Sequence, residues 1–294
     1  MNIHFIIRSS NERTIDYLYN SLINNDYFDK KNVSVVVEKP FWRSLEKSIK
    51  IAKEYQTSYF ALIDGDVLIS SKFLSFLFFY SEKKLLPNAY FGIQFNILDY
   101  LFGGPRSGGM HLYRRDILIE GESYLNEIKY SDRPETELKK LLQKSSDKKW
   151  KYSNVLIGIH DYFQSYKDYF RKGYIFGIKH YSAFDYFSSY WSSKSFENFQ
   201  YRASLFGLIE GYGKKRESEY SSDDRYINSA WSKYKHIFDE CEEQIITSPD
   251  DVIKNWKPTN FFLKHYSRKI SNNELPRVKL VYHYLFLKMI RRLI

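Results

Sequence analysis

Five successive apolar residues, Tyr59-Phe60-Ala61-Leu62-Ile63, end abruptly in Asp64-Gly65-Asp66. A run of this length bounded by polar residues predicts a buried strand over Ser58–Ile63. Two carboxylates delivered to the end of such a strand are costly unless something neutralises them. A divalent cation does this well through carboxylate oxygens; the competing reading is a capping Asp followed by a turn Asp. Gly65 lets the chain bend between the two. In 294 residues an Asp-x-Asp arises about once by chance, so its meaning depends on what surrounds it.

The surroundings alternate. Asn2–Arg8 predicts a first strand, and Asn11–Ile23 a helix with Ile15, Leu18, Leu22 and Ile23 on one face. Val33–Val37 predicts a second strand, followed by a helix carrying Leu45, Ile49 and Ala52 that ends at Tyr55. After the Asp-Gly-Asp come a helix over Ser70–Tyr80, a strand over Ala89–Phe95 and an extended Met110–Tyr113. Asp132 as cap and Pro134 in the first turn predict a helix over Arg133–Lys144. Val155–Ile159 reads as a strand ending at His160-Asp161, then a helix over Asp161–Lys172 stopped by Gly173, and a last strand over Tyr174–Ile178. Strands alternating with helices in this way define an α/β fold with a mostly parallel sheet. Such sheets bind ligands beyond the carboxyl ends of their strands, which is where the Asp-Gly-Asp falls.

From Ser182 the composition shifts to Ser, Tyr, Lys and Glu, which predicts a mainly helical extension over 182–294 after an α/β domain over 1–181. The net charge of +10 is unevenly placed. Lys264–Ile294 holds eight basic residues against Glu274 alone, +7 of the total, and Arg277–Ile294 predicts a last helix with an apolar stripe. Such a tail suits an anionic membrane surface or a nucleic-acid backbone. The rest has no general basic character and no nucleic-acid fingerprint appears, so a nucleic-acid partner is not expected. Cys241 is the only cysteine, which points to a reducing cytoplasm, and no apolar stretch reaches the length that spans a bilayer.

Arg8 and Arg43 are expected at strand ends or early in helices on the carboxyl side, where guanidinium groups pair with a diphosphate; Arg13 reads as an ordinary solvated arginine. The passage Phe102–Gly109 contains Gly103, Gly104, Arg106, Gly108 and Gly109, and its glycines permit close backbone approach to a ligand or a sharp bend. Ile7–Glu12, after the first strand, has no glycine, which excludes the Walker and dinucleotide loops and weighs against a sugar nucleotidyltransferase. No nucleophile elbow appears, so Ser or Cys hydrolase chemistry has no support.

Taken in order, Asp64 and Asp66, Phe102–Gly109, His160-Asp161, and His180 after Arg171-Lys172-Gly173 resemble the landmarks of the nucleotide-sugar-dependent glycosyltransferases of the GT-A fold, over about Met1–His180. The resemblance implies a Rossmann-like sheet, and transfer of a sugar from a nucleoside-diphosphate sugar to a hydroxyl of a glycan or glycolipid. It implies Mn2+ or Mg2+ held by Asp66, with Asp64 on the ribose or reaching the ion through water and His180 adding a nitrogen ligand. Asp161 becomes the candidate general base of an inverting reaction or a mere helix cap, and His160 a base or an acceptor contact. Arg8, Arg43, Gly103, Gly104, Arg106, Gly108 and Gly109 would lie around the donor. The implied setting is bacterial surface polysaccharide synthesis, cytoplasmic and against the inner membrane leaflet.

Overall fold

The computed structural model describes residues 3–81, 86–131, 133–179, 183–212, 214, 224–238 and 248–256. These fall into two compact units. The first comprises the chain as far as Asp99, Pro105–Tyr162 and Ser248–Asn255; the second takes Tyr100–Gly104 and, among described residues, those from Phe163 to Phe238 and Trp256.

In the first unit β1 (Ile3–Ser9), α1 (Ile15–Ile23), β2 (Val33–Val37), α2 (Phe41–Glu54) and β3 (Tyr59–Asp64) follow the alternation expected from the sequence. They lead to β4 (Val67–Ile69), α3 (Ser71–Ser81), β5 (Tyr90–Asp99) and β6 (Gly104–Arg114). Short helices α4 (Arg115–Glu120) and α5 (Leu125–Ile128), then α6 (Pro134–Ser145), precede β7 (Lys149–His160). The described strands form one mixed sheet in the order β2-β1-β3-β6-β5-β7-β4. β1 is parallel to β2 and β3, and β5 to β7; β6 runs antiparallel to β3 and β4 antiparallel to β7. A Cβ on Gly92 would meet Leu112, and one on Gly109 would meet Ile97, so β5 and β6 also run in opposite directions. β1, β2, β3, β5 and β7 therefore present their carboxyl ends at one edge.

The sheet must curl. Four strand spacings separate β3 from β4 in the sheet order, about 19 Å across a flat sheet. Only Gly65 and Asp66 join the two strands, and the three Cα steps from Asp64 to Val67 reach at most about 11 Å. β4 consequently folds back so that Val67 pairs with His160, and the end of β3 comes to lie beside the end of β7.

Period-two alternation sorts the side chains into two cores. Ile3, Phe5, Ile7, Ala61, Ile63, Met110 and Leu112 face one side with Leu18 and Leu22 of α1 and Leu74 and Leu77 of α3. Ile6, Phe60, Leu62 and Tyr113 face the other, against Leu45 and Ile49 of α2 and Leu138 and Leu142 of α6. His4 and Arg8 share the register of Ile6, so they enter the second face as buried polar groups.

The described helices of the second unit are α7 (Tyr166–Lys179), α8 (Phe184–Lys194), α9 (Phe199–Tyr212), α10 (Asp224–Ser232) and α11 (Lys235–Phe238); α12 (Pro249–Asn255) returns to the first. Two expectations are corrected here. Tyr174–Ile178 is not a strand but part of α7, which runs straight through Gly173. Gly173, Gly177, Gly207 and Gly211 bring α7 and α9 so close that a Cβ on Gly173 would stand 2.0 Å from the Ser204 carbonyl oxygen, and one on Gly207 2.0 Å from that of Phe170. The glycines thus serve helix contact and not helix termination, and a short apolar run does not distinguish strand from buried helix. The helix expected from Asp161 begins only at Tyr166, where Ser165 accepts from the Asp168 N–H at 3.1 Å and donates to its carboxylate at 2.6 Å. Asp161 itself has φ +60° and precedes the first residue of that helix by five positions. His180, Cys241, Asp132 and the basic tail with its last helix lie outside the described residues. No described helix is long and apolar enough to cross a membrane.

Two outcomes follow from this packing. Gly→Ala in an exposed helix stabilises by about 1 kcal/mol. Gly173→Ala and Gly207→Ala should instead lower stability by about 1–3 kcal/mol in urea unfolding, because the added methyl has no space. His4 lies between the rings of Tyr55 and Phe60, its Nε2 2.8 Å from Ser34 Oγ, and burial pushes its pKa down to about 4. The unfolded chain takes up this proton near pH 6.5. The contribution of neutral His4 is therefore complete above pH 6.5 and is lost as the pH falls towards 4. His4→Gln should show a shallower loss of melting temperature over that interval than the parent chain.

Candidate functional site

Asp66, His160 and Asp161 each offer one ligand atom, and these atoms lie within 4.8 Å of one another. The pairing of Val67 with His160 brings them together, and the Asp161 N–H donates to the Asp66 carbonyl at 3.3 Å. His160 Nε2 is 3.2 Å from Asp66 Oδ1, and its Nδ1 is 3.1 Å from an oxygen of Asp161. β5 adds a third carboxylate through the register Asp99↔His160, with Asp99 Oδ2 3.1 Å from the same Nδ1. Arg106, at the start of β6, donates from Nε to Asp99 and carries Nη2 to 3.2 Å from His160 Nδ1. Gly108 makes room for it, since a Cβ there would stand 2.7 Å from Arg106 Nη1.

Charge balance governs this cluster. Burial works to lower the His160 pKa, but Asp66 beside it and the hydrogen bonds with Asp66 and Asp99 more than reverse the effect, and the pKa rises. Burial would raise that of Asp99; Arg106 and His160 overturn it and hold the carboxyl well below its usual range. Two carboxylates and an imidazole form a donor set able to hold a divalent cation.

A second network lies on the α2 and α6 side of the sheet. Arg8, 3% exposed, donates from Nη2 to Asp64 at 2.7 Å and from Nη1 to Glu135 at 2.8 Å. Glu135 also accepts from Tyr113 Oη at 3.1 Å and lies 2.6 Å from His111 Nδ1. Burial would raise the Glu135 pKa, yet Arg8 and His111 hold its carboxyl well below the usual carboxylate range. Asp64 behaves oppositely: lost hydration raises its pKa, Arg8 counteracts this, and Asp66 and Glu135 add to the rise.

The residues singled out from the sequence are thus placed as follows. Asp66, His160, Asp161 and Arg106 meet in one cluster; Asp64 sits beside it but turns to Arg8. Arg8 is engaged by two carboxylates, and its guanidinium carbon lies 4.8 Å from the Phe41 ring. Arg43, on α2, lies over the Trp42 ring at 5.6 Å, and Gly103 packs on Tyr190 of the second unit. Gly104 opens β6, and Gly109 lies against Ile97. Asp99, Glu135 and His111 were not singled out. Asp99 was recoverable from the strand-end rule had β5 been carried past Phe95; Glu135 and His111 carry no local signal.

No protein-family model and no curated protein matches the sequence. Among solved structures the chain is similar to a glycosyltransferase involved in the glycosylation of the major capsid of PBCV-1, with TM-score 0.37 and 13% identity over 52% of this chain and 81% of that one. It is also similar to a cytidylyltransferase from Leptospira borgpetersenii, with TM-score 0.34 and 11% identity over 52% and 76%. A CMP:2-keto-3-deoxy-manno-octonic acid synthetase gives TM-score 0.36 and 10% identity over 54% and 92%. Likenesses this slight assign neither family nor activity.

Breaking a buried ion pair by removing one partner leaves an uncompensated charge and costs about 3–5 kcal/mol. Arg8→Met should lose stability of that order in chemical denaturation, and the double variant Arg8→Met/Glu135→Met should lose less than Arg8→Met alone, since it removes the stranded carboxylate as well.

Proposed function

We propose that the chain is a metal-dependent glycosyltransferase that moves a sugar from a nucleoside-diphosphate sugar to a hydroxyl of a glycan or glycolipid. The observation that carries this reading is the convergence of Asp66, His160 and Asp161 within 4.8 Å at the carboxyl edge of the sheet. Mn2+ or Mg2+ held by these three would supply neutralisation of the charge that builds on a departing diphosphate. Asp99 fixes the His160 ring through Nδ1, and Arg106 offers a cation beside the same edge. Asp64, braced by Arg8, is suited to orient the donor's hydroxyls. A carboxylate that grips a cation is a poor base, so this reading moves Asp161 from the base role to the ion. The basic tail fits work against an anionic membrane surface, in the cytoplasm, on a surface polysaccharide or glycolipid.

The loop after β1 supports sugar transfer over nucleotidyl transfer. Its donors already serve Glu12: the Ser10 N–H donates at 2.8 Å, and the hydroxyls of Ser9 and Ser10 donate to the same carboxylate. A triphosphate would have to displace a carboxylate of this chain to be cradled there.

The test is a melting-temperature screen of nucleoside diphosphates, nucleotide sugars and nucleoside triphosphates with and without Mn2+. A ligand at one hundred times its Kd adds about 2.7 kcal/mol of stability. A nucleoside diphosphate or its sugar should raise the melting temperature only with Mn2+, and Asp66→Ala should abolish the rise. A rise that Asp66→Ala leaves intact overturns the assignment, and one confined to triphosphates favours nucleotidyl transfer. Asp161→Asn and His160→Ala should each weaken Mn2+ binding about tenfold or more.

A further inference from the structure

The link between β5 and β6, Tyr100–Gly103, joins two members of the site: Asp99 precedes it, and Arg106 follows shortly after. Its backbone is held residue by residue. Tyr201 Oη donates to the Tyr100 carbonyl at 3.0 Å, Trp191 Nε1 to that of Leu101 at 2.7 Å, and Tyr186 Oη to that of Phe102 at 2.9 Å. Gly103 follows with φ +77°, and a Cβ there would stand 2.4 Å from Tyr190 Oη. All four side chains come from α8 and α9, and Tyr190, Trp191 and Tyr201 are buried.

Three consecutive carbonyls each accepting from a different aromatic side chain is an unusual use of a short connection, whose backbone groups ordinarily face water. Packing alone would not need it, since Phe fills nearly the same volume as Tyr. What the hydrogen bonds add is orientation of each peptide plane, and both ends of the link are site residues. Asp99 Oδ2 lies 3.1 Å from His160 Nδ1 and also accepts from Arg106 Nε. A carboxylate on one imidazole nitrogen fixes the direction in which the other nitrogen is offered, and such partners shift metal affinity by about 10- to 100-fold.

We infer that Tyr186, Trp191 and Tyr201 are positioning residues: they clamp the β5–β6 link and thereby hold Asp99 and Arg106 where they orient His160. This rests on the reading of Asp66, His160 and Asp161 as the holders of a divalent cation. The helices α8 and α9 are then not a mere appendage but part of what tunes the ion's affinity.

Replacing Tyr by Phe removes only the hydroxyl, so the test uses Tyr186→Phe/Tyr201→Phe and, separately, Trp191→Phe in the full chain. Two quantities are measured: amide hydrogen exchange of peptides covering 99–106, and the Kd for Mn2+ alone by electron paramagnetic resonance. Exchange should quicken over 99–106 and stay unchanged in β1 and β3, while Mn2+ binds about three- to tenfold more weakly in the tyrosine pair. Should Trp191→Phe fail to fold, the tyrosine pair decides. Unaltered exchange and unaltered Mn2+ affinity in the folded tyrosine pair overturn the clamp, provided Asp66→Ala still abolishes binding. Mn2+ binding that Asp66→Ala does not touch overturns the metal reading, and the positioning role with it.

Discussion

The tether between β3 and β4 is the constraint on which the site depends. Two residues join strands that a flat sheet would hold four spacings apart, so the sheet is obliged to curl. The curl sets Val67 against His160 and so places Asp66, the second residue of the link after β3, among the side chains that close β7. Without it the acidic turn and the His-Asp pair would stand on separate parts of the carboxyl edge. The same geometry creates an electrostatic difficulty, because it concentrates carboxylates in a place with little water.

Two arginines divide that difficulty between them. Arg8 reaches from β1 into the face lined by α2 and α6, where Asp64 and Glu135 take both ends of its guanidinium. Arg106 stays at the edge with Asp99 and His160. The two carboxylates of the Asp-Gly-Asp therefore serve different partners: Asp64 turns towards a buried structural network, and Asp66 towards the imidazole. A guanidinium already shared by two carboxylates has little left for a diphosphate. The opposite pKa displacements of Asp64 and Asp99 express the same division, since both lose hydration but Asp99 gains Arg106 and His160, whereas Asp64 also has Asp66 and Glu135 as like-charged neighbours.

Much of the first unit was legible because its strands are short apolar runs between turn residues: β1, β2 and β3 coincide within a residue or two with Asn2–Arg8, Val33–Val37 and Ser58–Ile63. β4 was hidden, being three residues directly before a helix and paired with a strand ninety residues later in the chain. Tyr174–Ile178 misled because a short apolar run with two isoleucines suits a strand locally; the reason for the helix is a second helix thirty residues on. The site divides similarly. Asp66, His160 and Asp161, which the fold brings together, stand out in the sequence because strand ends are marked there. Glu135 looks like any first-turn glutamate, and only the fold reveals that it neutralises an arginine 127 positions away.

The turn after β1 shows how a loop at the expected place for phosphate takes another role. The Ser9 Oγ, the Ser10 hydroxyl and the Ser10 N–H close on Glu12, and this closed turn forms the floor under Gly65: a Cβ there would meet Glu12 Oε2 at 3.0 Å and Ser9 Oγ at 3.1 Å. Gly65 donates its N–H to the Arg8 carbonyl at 2.7 Å and accepts the Thr14 hydroxyl at 2.5 Å. Glycine between the two aspartates is thus required by what lies beneath it, at a backbone angle any residue could adopt. The floor is built around the chain's own carboxylate, Glu12, which already accepts from the donors of the turn.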